Sequence, residues 1–457
     1  MRGRATLARR LHTRLGELWW WTLLLFCAQR LGDLVNFATG AFIVPRFVPE
    51  HDLGAVMPLA QIAALAAFPL TILLLPVGKF LNVFAVRGEY GKVKSLLADS
   101  VAASALFSLL AGAALLACGD WILLRLHVAD RRVFAAVAIT VMVTCLEPLV
   151  QNSLKSLKCF RTIFATGLAA PFIRLGAMLL LLPPLGAPGY LFAQTASPAA
   201  GIAVGLFGLS LALRGGGPRV SWLPEWREMA AYAAPLVAVT LAGSVQGPAE
   251  SFVIRQRLPE EVTAGYYFAS VFGAIPGYFA SAMMVILFPL VSDRYERGEP
   301  TRGLFVRSMA FTLASGLAAL AAIAAISPLV FRLPGPWRAY AGYSPFVWQV
   351  GLVMLLKSLQ GTFMTHESAS RSFRYVRYMV PLYLLEAASA YILPAWSVAR
   401  PFLPEWLWGL VDRCWTTSLQ SFLCLIIGFN ALFVVAMAID WRCAERAKGR
   451  AFRRLKG

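Results

Sequence analysis

Residues 16–44, GELWWWTLLLFCAQRLGDLVNFATGAFIV, are apolar over enough length to cross a bilayer as a helix, since ~20 residues at ~1.5 Å each span the hydrocarbon core. Polar residues nevertheless recur in this stretch at spacings of four and three, at Gln29, Asp33 and Asn36. The spacing places them on one helical face, and Arg30 stands three residues before Asp33. Charged groups are costly in hydrocarbon and usually face a bundle interior or a watery cavity. The stretch therefore predicts a membrane helix with a polar, inward face.

The Arg30 and Asp33 side chains have a second interpretation. Residues three apart on a helix readily form an ion pair, and such a pair can serve only to fix helix packing. The sequence leaves open whether the two charges line a cavity or stabilise the bundle.

The whole chain has the composition of a membrane protein. Hydrophobic residues make up 59% of the sequence and charged residues 14%, which leaves no soluble domain of ordinary size. The formal net charge of +19 comes mainly from connecting segments on the side of the amino terminus, and this bias predicts that both termini are cytoplasmic. The charge therefore requires no nucleic-acid partner, and we expect a multi-pass protein of the cell inner (plasma) membrane.

The sequence lacks the motifs of common enzymes and metal sites. Its seven cysteines are scattered singly, so neither a disulfide framework nor a metal site is indicated. His366 and Glu367 fall in a predicted cytoplasmic loop without further ligands. The absence of a P-loop, a nucleophile elbow and an H-E-x-x-H motif argues against an ATPase and the commonest hydrolases. We expect no enzyme activity and no cofactor beyond a coupled Na+ or H+.

Apolar runs divide the chain into twelve predicted spans. They lie near residues 16–44, 55–83, 95–118, 133–154, 162–182, 190–213, 229–254, 264–291, 303–330, 345–365, 378–398 and 417–439. The Gly-rich segment RGGGPR is the most flexible connector. We therefore predict a basic cytoplasmic amino terminus (1–15), a six-helix bundle (16–213), a cytoplasmic linker (214–228), a second six-helix bundle (229–441) and a basic cytoplasmic tail (442–457).

The two predicted bundles share landmarks at one common offset. Pro49-Glu50 coincides with Pro259-Glu260, and Arg87-Gly88-Glu89 coincides with Arg297-Gly298-Glu299. A tripeptide match in the same topological place indicates an internal repeat. Because each half has an even number of spans, the repeats are parallel and related by a pseudo-two-fold axis, and such proteins bind substrate between the halves.

Polar side chains within the predicted spans are the candidate site residues, and Arg174 is the most informative. It is a fixed cation in an apolar run, which suits a phosphate or a carboxylate of another helix, such as Glu147 on the preceding span. The full set is Arg30, Asp33, Asn36, Glu147, Arg174, Gln246, Glu250 and Glu386.

Two members of this set leave alternatives open. Gly247-Pro248, just before Glu250, is expected to interrupt the seventh span, although Pro248 alone would only kink it. Glu386 is either a coupling carboxylate within the eleventh span or an interfacial residue.

Several short motifs carry a resemblance to a known family. They are RFVPEHDLG at residues 46–54, RGE at 87–89, AGYY at 264–267, Pro276, and LFP at 287–289. With twelve spans in two halves, the chain resembles the polysaccharide-transporter branch of the multidrug/oligosaccharidyl-lipid/polysaccharide flippase superfamily over nearly its whole length.

The resemblance implies an all-α, V-shaped alternating-access transporter that moves a polyprenyl-diphosphate-linked oligosaccharide to the outer leaflet. Its driving force would be an ion gradient or the membrane potential. Its partners would be membrane lipids, the lipid-linked glycan and, in the pathway, a polysaccharide polymerase and glycosyltransferases, with the protein itself a monomer. The central cavity would bind substrate through Arg30, Asn36, Arg174 and Gln246, and couple ions through Asp33, Glu147, Glu250 and Glu386.

Two features depart from the family pattern, and two other functions are alternatives to the flippase. Lipid II flippases of the superfamily have fourteen spans and this chain has twelve predicted ones, and Lys and Arg are sparser in the inferred cavity than in many sugar-lipid flippases. A drug/cation antiporter would share the fold but rely on carboxylates and aromatic residues, with little use for Arg30 and Arg174. A membrane-embedded glycosyltransferase or polymerase would need a large outer loop, whereas the longest outer segment, Ala399–Thr416, is short.

Overall fold

A computed structural model describes most of the chain. The described residues are 24, 27–125, 131–215, 217–278, 284, 287, 290–291, 294–295, 299–333, 336–370, 372–392 and 419–456. Several predicted features lie outside these residues. They are the amino terminus 1–15, the start of the first predicted span, Arg297 and Gly298 of the repeated RGE tripeptide, the LFP motif after Leu287, and the outer segment 399–416.

The chain divides into two compact units, residues 1–237 and 238–457. In the first unit, α1 occupies residues 27–38 and continues through a π-helical turn at Thr39–Ile43 and a final α-helical turn at Val44–Phe47. The following helices are α2 (Glu50–Val86), α3 (Tyr90–Arg125), α4 (Arg131–Thr144), α5 (Glu147–Ser156), α6 (Phe160–Leu185) and α7 (Ala187–Ala212).

The second unit begins within α8 (Trp226–Arg257), whose first turns belong to the first unit. It continues with α9 (Glu260–Gly273), α10 (Arg302–Val330), α11 (Ser344–Ala369), α12 (Val376–Ile392) and α13 (Leu419–Lys456). Two 3-10 segments, Leu223–Glu225 and Pro336–Tyr343, precede α8 and α11.

This is an all-α polytopic membrane protein. Within the described residues there is no strand, and helical residues occur in each of the twelve predicted spans. Seven helices of this part of the chain are long and apolar enough to cross a membrane. Exposed leucines such as Leu106, Leu109 and Leu110 on α3 suit contact with apolar lipid tails. The helix backbone can lie in the bilayer because it satisfies its own hydrogen bonds.

Proline determines one helix break and leaves another helix intact. The fourth predicted span divides at Cys145–Leu146, and Pro148 stands in the first turn of α5, where its missing N–H costs nothing. The expected interruption at Gly247-Pro248 is wrong, because α8 is one helix from Trp226 to Arg257. A proline in a membrane helix is tolerated where neighbouring groups satisfy the freed carbonyl.

Each unit has its own apolar core. In the first unit, Phe80 and Phe84 of α2 pack with Leu96 of α3, Leu154 of α5 and Leu209 of α7. These residues are buried, so four helices meet around one cluster, and burial of this apolar surface stabilises their packing.

The second unit has a comparable core. Phe363 of α11 lies with Met379 and Tyr383 of α12 and with Phe433 and Met437 of α13. This cluster fixes α11, α12 and α13 as one bundle, and those three helices carry most of the unit's buried polar groups.

The linker after α7 is fastened to the first unit. Lys94 Nζ donates to the Gly217 carbonyl at 2.9 Å, Trp222 Nε1 donates to Asp99 Oδ2 at 2.8 Å, and Lys92 Nζ contacts Glu225 Oε1 at 2.6 Å. The predicted flexible connector is therefore tied along the start of α3.

Candidate functional site

The first polar group of unit 1 lies on α1. Arg30 Nη1 is 2.9 Å from Asp33 Oδ2, and both side chains are 22% exposed. Asn36 follows one turn later on the same face. The local ion pair expected from the spacing is therefore present, and it leaves part of both groups accessible.

Arg174 of α6 connects to this face. Its Nη1 donates to Asn36 Oδ1 at 3.1 Å, and its buried Nε has no hydrogen-bond partner among the residues that the structure describes. The two helices approach closely at Gly32, where a Cβ atom would lie 2.9 Å from Pro171 Cγ. Only a glycine fits this contact without displacement, and the contact lies on the turn beside Arg174.

Two further charges come from α5, just after the break in the fourth span. Glu147 interacts electrostatically with Arg174 and with Lys155. In the described part of the chain Glu147 forms neither a hydrogen bond nor a salt bridge. The half-buried carboxylate thus lies in the field of two cations without contacting either, so Arg174 retains unused donors.

The first turns of α7 complete the group. Gln194 Nε2 donates to the Tyr190 hydroxyl at 2.6 Å, and Arg174 interacts electrostatically with Tyr190. Sequence reasoning missed both residues and Lys155. The available signal was a glutamine within an otherwise apolar helix, one turn after a tyrosine.

Unit 2 holds an ion pair between two helices. Lys357 Nζ of α11 contacts both carboxylate oxygens of Glu250 on α8, at 2.9 and 3.2 Å. The Glu250 side chain is 10% exposed and the Lys357 side chain 25%. Gln246 lies one turn earlier on α8, and its side chain is outside the described residues.

Glu386 of α12 belongs to a separate hydrogen-bonded chain. Asn430 Nδ2 donates to Glu386 Oε1 at 3.1 Å, and Gln360 Nε2 donates to Asn430 Oδ1 at 2.8 Å. Glu386 is only 1% exposed, so it is buried inside the bundle. Its contacts join α11, α12 and α13.

His366 and Glu367 do not lie in a loop. They end α11 and are buried, with His366 Nδ1 3.3 Å from Glu367 Oε1 and Nε2 3.2 Å from Thr301 Oγ1. Their packing against neighbouring helices keeps the last turn of α11 folded. Among the described residues no three His, Cys, Asp or Glu side chains group as metal ligands.

Asp440 of α13 anchors the same end of unit 2. Arg377 Nη2 is 3.0 Å from Asp440 Oδ1, and Arg374 Nη2 is 3.7 Å from Oδ2. The next residue, Trp441, stacks on Phe305 with 5.3 Å between ring centroids.

The predicted site residues therefore form distinct groups. Arg30, Asp33 and Asn36 join Arg174 and Glu147 in unit 1, whereas Glu250 and Glu386 occupy two separate networks of unit 2. The unit 1 group can bind an anion through unused guanidinium donors. Its carboxylates can accept a cation or a proton.

Sequence comparisons find no relative, but structural comparisons do. No family model matches the chain, and no curated protein matches it. An inward-facing multidrug resistance MATE family transporter of the MOP superfamily has a TM-score of 0.67 at 12% identity, with 94% of this chain and 99% of that chain covered.

Two other solved structures are similar. The lipid II flippase MurJ, in an inward closed conformation, has a TM-score of 0.62 at 10% identity and covers 92% of this chain and 87% of its own. A MOP superfamily transporter from Pyrococcus furiosus, described as having a binding pocket of reverse polarity, has a TM-score of 0.53 at 11% identity, with 94% and 96% covered. At these identities the likeness shows the fold alone, which this chain shares with the three solved transporters.

Proposed function

We propose that this protein is a flippase that carries a polyprenyl-diphosphate-linked oligosaccharide from the inner to the outer leaflet for surface polysaccharide biosynthesis. The observation that carries the proposal is Arg174, a guanidinium within a membrane helix that is held by Asn36 and has a buried Nε without a partner in the described residues. Arginine forms bidentate, charge-assisted bonds with phosphate oxygens. A diphosphate could bind there while its lipid tail stays in the bilayer.

The proposal assigns two sets of residues. Glu147 suits ion coupling because it lacks a hydrogen bond or salt bridge in the described residues, whereas Glu250 could accept an ion only after its pair with Lys357 opens. The substrate-binding residues are Arg30, Asn36, Arg174 and Gln246, and the residues for Na+ or H+ coupling are Asp33, Glu147, Glu250 and Glu386.

The setting follows from the same proposal. The protein works by alternating access as a monomer in the cell inner membrane, with both termini cytoplasmic, as the basic segments predict. An ion gradient or the membrane potential drives it. Glycosyltransferases supply the lipid-linked glycan, and a polysaccharide polymerase consumes it on the other side.

A drug/cation antiporter is the second candidate. It is favoured by the carboxylate of Glu147, which could attract an organic cation, and by the MATE transporter among the similar structures. Arg174 opposes it, because a fixed guanidinium repels a cationic substrate. The enzyme alternative, a membrane glycosyltransferase or polymerase, has less support because the similar structures are transporters.

The deciding experiment uses purified full-length protein in liposomes that hold a fluorescent polyprenyl-diphosphate oligosaccharide. A membrane-impermeant quencher reports the fraction of label that reaches the outer leaflet. We expect faster exposure than in protein-free liposomes, and its loss in Arg174→Glu. Arg161→Glu is the matched control, since Arg161 is an exposed arginine at the start of the same helix.

Two results would contradict the flippase. One is an exposure rate equal to that of protein-free liposomes. The other is transport of organic cations against a sodium or proton gradient without lipid movement, which would favour the antiporter.

A further inference from the structure

Lys357 is the only lysine or arginine in α11, and it lies well inside the helix. Among the residues that the structure describes, its Nζ contacts the two carboxylate oxygens of Glu250, at 2.9 and 3.2 Å. Moving two charges from water into a membrane bundle is costly. Ionisable groups in this setting therefore mark a functional site by default.

The pair with Glu250 does not use all of the hydrogen-bond donors of the Lys357 ammonium. An ammonium has three N–H donors, and the contacts with Glu250 use two directions. The Lys357 side chain is 25% exposed, against 10% for Glu250. A second anion can therefore approach the ammonium from the exposed side while the carboxylate stays in place.

We propose that Lys357 of unit 2 binds the diphosphate of the lipid-linked substrate, and that Glu250 is the counter-ion that holds its ammonium when no substrate is bound. This inference rests on the proposed flippase function. Phosphate and carboxylate oxygens compete for the same ammonium, and lysine binds phosphate as a point charge. Glu250 thus lowers the cost of a buried cation in the empty protein and weakens diphosphate binding by competition.

The test measures binding of farnesyl diphosphate, a short polyprenyl diphosphate, to the purified full chain by titration calorimetry. We expect Lys357→Gln to weaken binding by about tenfold, because a charge-assisted hydrogen bond is lost. Glu250→Gln should tighten binding severalfold by removing the competitor. Lys357→Arg, which keeps the cation, should stay within about threefold of the unmodified protein.

Two controls separate a binding role from a structural one. Glu260→Gln removes the carboxylate of the nearby Arg255–Glu260 pair, which measures 3.1 Å, and should leave affinity unchanged. The exchange Lys357→Glu with Glu250→Lys keeps an ion pair with reversed direction. It should recover the melting temperature without recovering affinity.

The outcomes distinguish this inference from the proposed function. If the unmodified protein does not bind farnesyl diphosphate, both fail. If it binds, Arg174→Glu loses binding and Lys357→Gln or the exchanged pair binds like the unmodified protein, the flippase survives and the role of Lys357 is overturned.

Discussion

The charged groups inside the two units differ in how fully they are partnered. In unit 1, Arg174 has a single hydrogen bond and Glu147 has none in the described residues, whereas in unit 2 Glu250 is closed by Lys357 and Glu386 by Asn430. Charged groups with unused hydrogen-bonding atoms can bind a ligand, whereas fully hydrogen-bonded networks stabilise a helix bundle. The difference indicates that unit 1 offers the readier anion site, while in unit 2 an anion must compete with the Glu250 carboxylate for the Lys357 ammonium.

The largest expected effect tests the open side of this comparison. Arg174→Glu should lower lipid-linked oligosaccharide exposure at least about tenfold, since it replaces a phosphate-binding cation by a repelling charge. The quencher assay measures it, and size-exclusion chromatography checks that the variant is intact. A similar loss in Arg161→Glu would mean that surface charge, and not the unit 1 group, controls transport.

Substitutions of two asparagines, one in each unit, test whether the hydrogen-bonded network of unit 2 contributes more to stability. Asn430→Leu removes the buried hydrogen bonds that Asn430 forms with Gln360 and Glu386, so the free energy of unfolding should fall by about 1–3 kcal/mol. Asn36→Leu should cost less, under about 1 kcal/mol, because the half-buried Arg174 can use water instead. Denaturant unfolding in detergent gives both values, and equal losses would remove the contrast between the units.

Glu147→Gln tests the unit 1 group through its affinity for a diphosphate. Removing a carboxylate that attracts Arg174 and Lys155 should tighten farnesyl diphosphate binding about threefold to tenfold, since a competing charge that is screened by solvent is worth roughly 1 kcal/mol. Calorimetric titration measures the change. Weaker binding would assign Glu147 to holding the cations in position.

The smallest effect is expected at the α1 pair. Asp33→Asn should change the free energy of unfolding by less than about 0.5 kcal/mol, because a partly exposed pair three residues apart contributes little. A loss comparable to that of Asn430→Leu would show that Arg30 and Asp33 are structural after all. The same unfolding experiment decides.

Features encoded locally in the sequence could be predicted. Apolar runs predicted the helices, and a three-residue spacing predicted the contact of Arg30 with Asp33. The fold shared with the solved transporters agrees with the resemblance seen in short motifs, while membership of the polysaccharide-transporter branch stays a prediction. These features depend on neighbours along one helix, so their geometry follows from the helical repeat.

Partners from distant helices could not be predicted. Spacing cannot pair Lys357 with Glu250, or Asn430 with Glu386, because the packing of separate helices brings them together. Gly247-Pro248 misled because α8 is continuous there although local propensity favours a break. A lone lysine in the apolar run GLVMLLKSLQG was the signal that could have singled out Lys357.

Helix α13 runs 38 residues without a break, about 57 Å at the α-helical rise, and its apolar part ends at Ala444. Just before that point Asp440 is clamped by Arg377 and Trp441 is stacked on Phe305. Because these contacts hold the helix in place, its orientation is passed on to any segment that continues it. A reporter domain joined in helical register after Lys456 would therefore hold a fixed orientation on this unit, and would serve as a fiducial marker for electron cryomicroscopy of this membrane protein.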